Sequence, residues 1–435
     1  MPADTIFALA TGAGRSAVAV IRLSGPQARA TFTGFTSLTP EPRHAHYARF
    51  RNPDTDETLD FGLALFFPGP HSATGEDCAE FHLHGGRAVI DAVLISLGRL
   101  SGLRAAEPGE FARRGFINGK MDLSQAEALA DLIDSQTAFQ RRQALRVAGG
   151  ALRRQVEDWR RALIDALALL SAELDFSDEG DVDSFSYGAL RGILGPLISG
   201  MKDVLSRAPA SERLREGFLA LIMGPPNAGK STLLNRLAQR DVAIVSEIPG
   251  TTRDMIEVHL DIGGIPVTLV DTAGLRDTED AIEQIGVART RARAGDADLL
   301  LWLSEGGAEP VPLSGAGDGG ILRVATKADV IAPASGAIPI SAQTGVGVEM
   351  LCDEIAGEAR KALGDGESAL VIRQRHRQAI QAARDFLEAA LAEGKPLEIV
   401  AEDLRLAGRS LAGIVGAIDV EQVLDAVFSR FCIGK

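Results

Sequence analysis

Cysteine is scarce in this chain. Cys78, Cys352 and Cys432 are far apart, odd in number and free of any C-x-x-C spacing, so they indicate neither a disulfide framework nor a zinc site. That usage fits a reducing compartment. Also missing are a basic segment followed by an apolar run after Met1 and any stretch approaching the length of an apolar membrane span. We therefore expect a cytoplasmic protein with no membrane contact. A basic excess is the third absence: 45 Lys and Arg against 59 Asp and Glu give a formal net charge of −14. This excludes a generally adhesive nucleic-acid or anionic-membrane binder and leaves RNA only a local basic face.

What is present is chain enough for several cores: 435 residues, 46% hydrophobic, suggest roughly two to four domains. The organising stretch is Gly224-Pro225-Pro226-Asn227-Ala228-Gly229-Lys230-Ser231. Its G-x-x-x-x-G-K-[ST] pattern places glycines where backbone must approach an anion, a lysine for the outer phosphates and a hydroxyl for Mg²⁺. Residues 218–223 are apolar, as a buried parallel strand requires, and residues 232–237 can be helical. The helix N-terminus, beginning near Thr232, would face the phosphates.

Residues 1–118 mix strand-like runs with Gly/Pro turns. Residues 18–23 and 64–67 predict strands and residues 88–100 a helix, an α+β pattern. Gly12-Ala13-Gly14-Arg15-Ser16-Ala17 satisfies a loose dinucleotide-loop pattern, but a β-branched run follows where a helix must open, and it is rejected. His82 and His84 share one strand face; no third ligand is near, and ordinary hydrogen-bonded histidines are expected.

From Lys120 the character becomes helical. Ser124-Gln125-Ala126-Glu127 has a capping-box pattern, and Val156, Trp159, Leu163, Leu167, Leu170 and Leu174 recur at three and four as a core stripe. Arg141, Arg142, Arg146, Arg153, Arg154, Arg160 and Arg161 crowd the other faces and read as a solvated surface before an RNA patch. After Arg213 strand and helix alternate, and beyond Gly366 helical periodicity returns with Ile380, Leu387, Leu404, Leu411 and Phe428. The expected architecture is multidomain, α+β and α/β. It comprises an N-terminal α+β domain over 1–118, an all-α domain in two halves over 119–213 and 366–435, and a P-loop α/β unit over 214–365 inserted between them.

Four further stretches define the inserted unit's chemistry. Thr252, in Gly250-Thr251-Thr252-Arg253-Asp254, offers a hydroxyl on a loop able to sense a γ-phosphate through Mg²⁺. Asp271-Thr272-Ala273-Gly274 ends an apolar run; its carboxylate suits the metal's water shell and its glycine the γ-phosphate. In Thr326-Lys327-Ala328-Asp329 the carboxylate can accept from guanine N1–H and its 2-amino group, whereas adenine would leave it unpaired. Ser341-Ala342 presents backbone donors to the base oxygen. The base-reading stretch opens with Thr326 where Asn is usual, and guanine selectivity is expected to survive that change. Leu275 cannot orient a water as the Gln of Ras-like enzymes does, so the attacking water needs another residue.

These motifs, the insertion, the opening Asp4-Thr5-Ile6-Phe7 with Arg15 and Arg22-Leu23-Ser24-Gly25, and the ending Phe431-Cys432-Ile433-Gly434-Lys435 resemble the MnmE (TrmE) family of bacterial tRNA-modification GTPases over essentially the whole chain. The resemblance implies an N-terminal domain that dimerises and binds a formyl-tetrahydrofolate-type cofactor through Arg22, Glu80, Lys120 and Lys435. It implies a Ras-like G domain binding GTP and Mg²⁺, with Ser231 and Thr252 as Mg²⁺ ligands, and activated by K⁺ at Asn227, Ser246, Ile248 and Thr251. It further implies Glu283 as the acid that orients water and a role for the terminal Cys432. The implied partners are tRNA, whose wobble uridine is modified, and the flavoprotein GidA (MnmG), which would carry FAD, in a heterotetramer. Two other readings stay open: a ribosome-assembly GTPase, and a folate-dependent transferase working alone.

Overall fold

The computed structural model describes residues 4–12, 14–176, 187–239, 243–244, 256–271, 297–310, 320–364, 370–371, 373–392, 394–416, 427–428, 431 and 434. The chain divides into two compact units, Met1–Ala130 with Ala412–Lys435, and Asp131–Leu411.

Period-two alternation builds the first unit. Its strands are β1 (Thr5–Leu9), β2 (Ser16–Ser24), β3 (His46–Arg51), β4 (Thr58–Phe67), β5 (Cys78–Gly85) and β6 (Leu103–Ala105), with helices α1 (Ala28–Thr36), α2 (Arg87–Arg99) and α3 (Glu110–Ile117). They form a sheet of order β3-β4-β5-β2-β1-β6, antiparallel except for β1 with β6. Ile21, Leu23, Phe50, Phe66 and Phe81 point to one face and meet Phe32 and Phe35 of α1 and Val93 and Leu97 of α2. Phe81 lies at the centre, its ring 5.1 Å from Phe50 and 5.5 Å from Phe35. Each such buried side chain contributes about 1.5–3 kcal/mol. The opposite face carries Arg22, Glu80, His82 and His84, and leaves Val18, Tyr47, Phe61 and Leu63 exposed. Strands and helix thus fall where alternation and periodicity put them. Gly12 and Gly14 belong to the link between β1 and the antiparallel β2, which opens no helix. His84 Nδ1 lies 2.9 Å from Asp60 Oδ1 and His82 Nε2 3.3 Å from Glu80 Oε2, so both histidines have hydrogen-bond partners.

One expected start is corrected. Helix α4 (Leu123–Asp134) begins ahead of Ser124. Asp122 Oδ1 accepts from Gln125 N at 2.9 Å, and Gln125 Oε1 accepts from Asp122 N at 3.0 Å. The reciprocal box therefore stands two residues earlier than Ser124 and Glu127, because Asp122 is itself a strong cap with Gln at the third helical position.

The second unit combines helices with the α/β insert. Helices α5 (Ala138–Ala148), α6 (Ala151–Phe176) and α7 (Tyr187–Glu216) precede the insert. Val156, Trp159, Leu163 and Leu170 of α6 are buried as the stripe predicts, while Arg153 and Arg161 are exposed beside Glu157 and Asp158. The insert contains β7 (Phe218–Met223), α8 (Lys230–Ala238), β8 (Ala243–Ile244), β9 (Ile256–Ile262), β10 (Ile265–Asp271), β11 (Leu299–Glu305), β12 (Gly320–Thr326), β13 (Ile338–Pro339) and α9 (Val348–Leu363). Then follow α10 (Gln374–Ala390) and α11 (Leu397–Val415). Arg373 Nη2 donates to Asp131 Oδ1 at 2.7 Å, and Arg377 Nη1 lies 3.2 Å from Glu212 Oε2, so the residues before and after the insert are joined.

The insert's sheet has the order β13-β12-β11-β7-β10-β9-β8, parallel from β13 through β10. From β7 the chain fills one side of the sheet and then the other. The strand order reverses beside β7, which opens a crevice at the carboxyl ends of β7, β10 and β11. No helix among the described residues is long and apolar enough to cross a membrane.

Candidate nucleotide-binding site

The phosphate loop leaves β7 at Gly224, whose φ is 145° and where a Cβ would lie 2.0 Å from Leu303 O. Only glycine fits against the neighbouring strand there. Asn227 has φ 61° and Gly229, φ 88°, is the N-cap of α8, so the loop curls through left-handed conformations into the helix. The first N–H groups of α8 have no carbonyl within the helix and are available to an anion. Lys230 is 8% exposed, and its Nζ donates to Gly224 O at 2.8 Å and Pro225 O at 2.9 Å. Ala228 is buried, whereas Asn227, Ser231 and Thr232 face outward. Ser231 Oγ donates to Asp271 Oδ2 at 3.1 Å, bringing the loop hydroxyl to the carboxylate that ends β10.

A second group forms at the ends of β12 and β13. Ile340 N donates to Ala325 O at 2.9 Å and Ala328 N to Ile340 O at 3.1 Å, so the Thr326–Asp329 and Ser341–Ala342 stretches lie side by side. Lys327, φ 58°, forms an ion pair with Glu305. Thr326 is buried, and its Oγ1 has no hydrogen-bond partner among the described residues. Asp329 is exposed and has no hydrogen bond or ion pair among the described residues, leaving its carboxylate open to an incoming base. Ser341 Oγ accepts from Thr344 N at 3.2 Å and Ser341 O from Gly345 N at 2.8 Å, which tightens the turn carrying Ala342.

The first unit holds a separate cavity of about 310 Å³, lined by Arg22, Arg43, Phe67, His71, Ser72, Ala73, Cys78 and Glu80.

 That volume lies within the range of small-molecule sites. Arg22 Nε lies 2.9 Å from Glu80 Oε1 because β2 and β5 pair the two residues directly. Lys120 Nζ donates to Pro70 O at 2.8 Å, on the loop that carries the lining residues His71, Ser72 and Ala73.

Family models match most of the chain. One described as MnmE helical domain covers residues 123–432, and one described as GTP-binding protein TrmE N-terminus covers residues 5–120. The chain belongs to the MnmE (TrmE) family. Among its relatives is the tRNA modification GTPase MnmE of Beijerinckia indica, 51% identical over 434 residues, covering 99% of this chain and 96% of the relative. The proteins of the same name from Azorhizobium caulinodans and Methylorubrum populi are 53% and 52% identical, each covering 99% of this chain and 99% and 98% of the relative.

In this MnmE family member the structure brings together Lys230 with its loop, Ser231 with Asp271, the Thr326–Asp329 stretch with Ser341, and Arg22 with Glu80. Ser246, Ile248, Thr251, Thr252, Thr272, Ala273, Gly274, Leu275, Glu283, Cys432 and Lys435 lie outside the described residues. Motif reading missed Arg43, His71 and Cys78 in the cavity and Glu305 beside Lys327. Strand pairing and loop closure assemble these residues, and no local spacing signals them.

Proposed function

We propose that this protein hydrolyses GTP and acts with a flavoprotein of the GidA (MnmG) kind to add the 5-carboxymethylaminomethyl group to the wobble uridine of tRNA. The observation that carries the GTP reading is the Ser231–Asp271 pair, 3.1 Å apart at the mouth of a phosphate loop and helix. The names of the relatives support the tRNA side.

In this reading the backbone of residues 227–232 cradles the phosphates and Lys230 exchanges the Gly224 and Pro225 carbonyls for them. A hydroxyl and a carboxylate are hard oxygen donors and fit Mg²⁺, which Ser231 and Thr252 would hold, with Asp271 suited to its water shell. Bound there, the ion supplies charge neutralisation on the phosphates. Asn227, Ser246, Ile248 and Thr251 hold K⁺, and the exposed Asn227 at φ 61° supports this. Thr272, Ala273 and Gly274 close on the γ-phosphate, Glu283 orients the attacking water, and Thr326, Lys327, Asp329, Ser341 and Ala342 read guanine.

The cavity of the first unit takes a formyl-tetrahydrofolate-type molecule, for which Arg22, Glu80, Lys120 and Lys435 are the binding residues, and Cys432 has a role in its chemistry. Its mixed cationic and anionic lining suits a ligand with carboxylates and ring donors. The unit dimerises; the exposed Val18, Tyr47, Phe61 and Leu63 on the outer sheet face support that. We divide the chain into a dimerisation domain over 1–118, helical halves over 119–213 and 366–435, and a G domain over 214–365.

Nucleoside mass spectrometry of tRNA from cells lacking the protein tests the reading. Loss of the wobble modification is expected, and normal wobble uridines overturn it. Purified protein is expected to release phosphate from GTP faster in K⁺ than in Na⁺, and equal rates overturn the potassium site.

A further inference from the structure

The loop between β4 and β5, residues 68–77, forms much of the cavity wall; besides the cavity's own Arg43, which donates to His71 O, it is held by residues that do not line the cavity. Asn118, just past α3, donates through Nδ2 to Thr74 O at 2.7 Å. Glu76 Oε2 accepts from Arg114 Nη1 at 3.1 Å and from Ser24 Oγ at 2.7 Å. Arg114 is 2% exposed, and its Nη2 also reaches Glu110 Oε1 and Asp4 Oδ1, both at 3.0 Å. Ser72 Oγ donates to Glu76 O at 2.5 Å, which passes the anchorage to a residue that lines the cavity.

Proton counting gives these contacts a direction. The Ser24 hydroxyl has one proton and spends it on the Glu76 carboxylate, so Thr74 must be the donor to Ser24 across their 2.7 Å contact. The Cys78 thiol, 3.2 Å from Thr74 Oγ1, is then the donor to Thr74. A single chain of donors runs from the cavity lining at Cys78 through Thr74 and Ser24 to the Glu76 carboxylate, to which Arg114 donates from the other side.

We propose that Asn118 and Arg114 are positioning residues for the cavity: neither lines it, and both set the loop that does. The proposal rests on the reading of the cavity as the folate site. Binding groups on a loop need support from behind to hold a ligand tightly. Asn118 and Arg114 supply it from α3 and the turn after it.

The test titrates the full-length protein and its Asn118→Ala and Arg114→Lys variants with 5-formyltetrahydrofolate by calorimetry, with amide exchange followed over residues 70–76. Asn118→Ala is expected to weaken binding about tenfold, with faster exchange in the loop and a ligand-free thermal midpoint within about 2 °C of the parent. Arg114→Lys keeps the charge but loses the fork and is expected to weaken binding as well. Parent-like affinity and exchange in Asn118→Ala overturn the positioning role alone. Affinity lost only in step with the ligand-free midpoint makes the residue merely structural and also overturns it. A parent protein that does not bind the ligand overturns the folate reading, and the proposal with it.

Discussion

The Ser231 hydroxyl and the Asp271 carboxylate meet across 3.1 Å, joining the first turn of α8 to the last residue of β10. The two positions are forty residues apart in sequence, as 271 − 231 shows, and the parallel pairing of β7 with β10 brings them together. Replacing Ser231 with Ala removes the hydroxyl and leaves the strand intact. We expect phosphate release from GTP to fall by about 10²-fold, with little change in thermal midpoint, in a steady-state assay across a Mg²⁺ series.

Gly224→Ala places a methyl group against the Leu303 carbonyl oxygen, at a φ of 145° that L residues rarely adopt. Backbone on both sides cannot retreat as a side chain would. The expected loss exceeds about 1–3 kcal/mol, read by urea denaturation, and nucleotide binding is expected to fail with it.

Thr326 and Asp329 separate two contributions at the base site. The buried Thr326 hydroxyl lacks a partner among the described residues, so Thr326→Val is expected to stabilise the nucleotide-free protein by about 1 kcal/mol. Asp329→Asn exchanges an acceptor for a donor. Competition binding is expected to show GTP weakened by at least about 10²-fold and xanthosine triphosphate, which has an oxygen in place of the 2-amino group, preferred.

Part of the acid side of the stability profile has its origin in the first unit. Burial pushes the Asp4 carboxyl up, but Arg104 and Arg114 outweigh it and hold it below the usual range. Burial likewise raises Glu110, and Arg104, the Glu107 backbone and Arg114 more than reverse it. Depressed carboxyls bind fewer protons when folded. Their contribution is therefore complete above the unfolded values of about 4 and is lost as pH falls through the lower folded ones. Thermal midpoints are expected to drop below about pH 4, and Glu110→Gln to flatten that drop.

Phe81→Ala opens the centre of the first core, where its ring meets those of Phe32, Phe35 and Phe50. We expect destabilisation of about 3–5 kcal/mol, measured by chemical denaturation.

Local signals were legible and assembled ones were not. The phosphate loop could be read because glycines, lysine and hydroxyl are contiguous, and β2 and α2 because their periodicity is local. The box at Ser124 was misplaced because Asp122 competes for the same cap two residues earlier. Arg43, His71 and Cys78 meet Arg22 and Glu80 only after β2, β4 and β5 pair, and Arg114 finds Asp4 across almost the entire first unit. Such contacts leave no trace in spacing.

Gly434, at φ 101°, has so little room that a Cβ would lie 2.1 Å from Leu9 O, and Phe428 and Phe431 share a core with Ala112, Leu123 and Ala126. The unit that begins at the amino end therefore takes its last core residues from the carboxyl end. During synthesis its sheet and main core emerge early, but the cluster around Phe428 and Phe431 waits until the second unit has left the ribosome. Closing so long a loop adds only slowly to the entropic cost, so the delay falls on the order of assembly far more than on final stability.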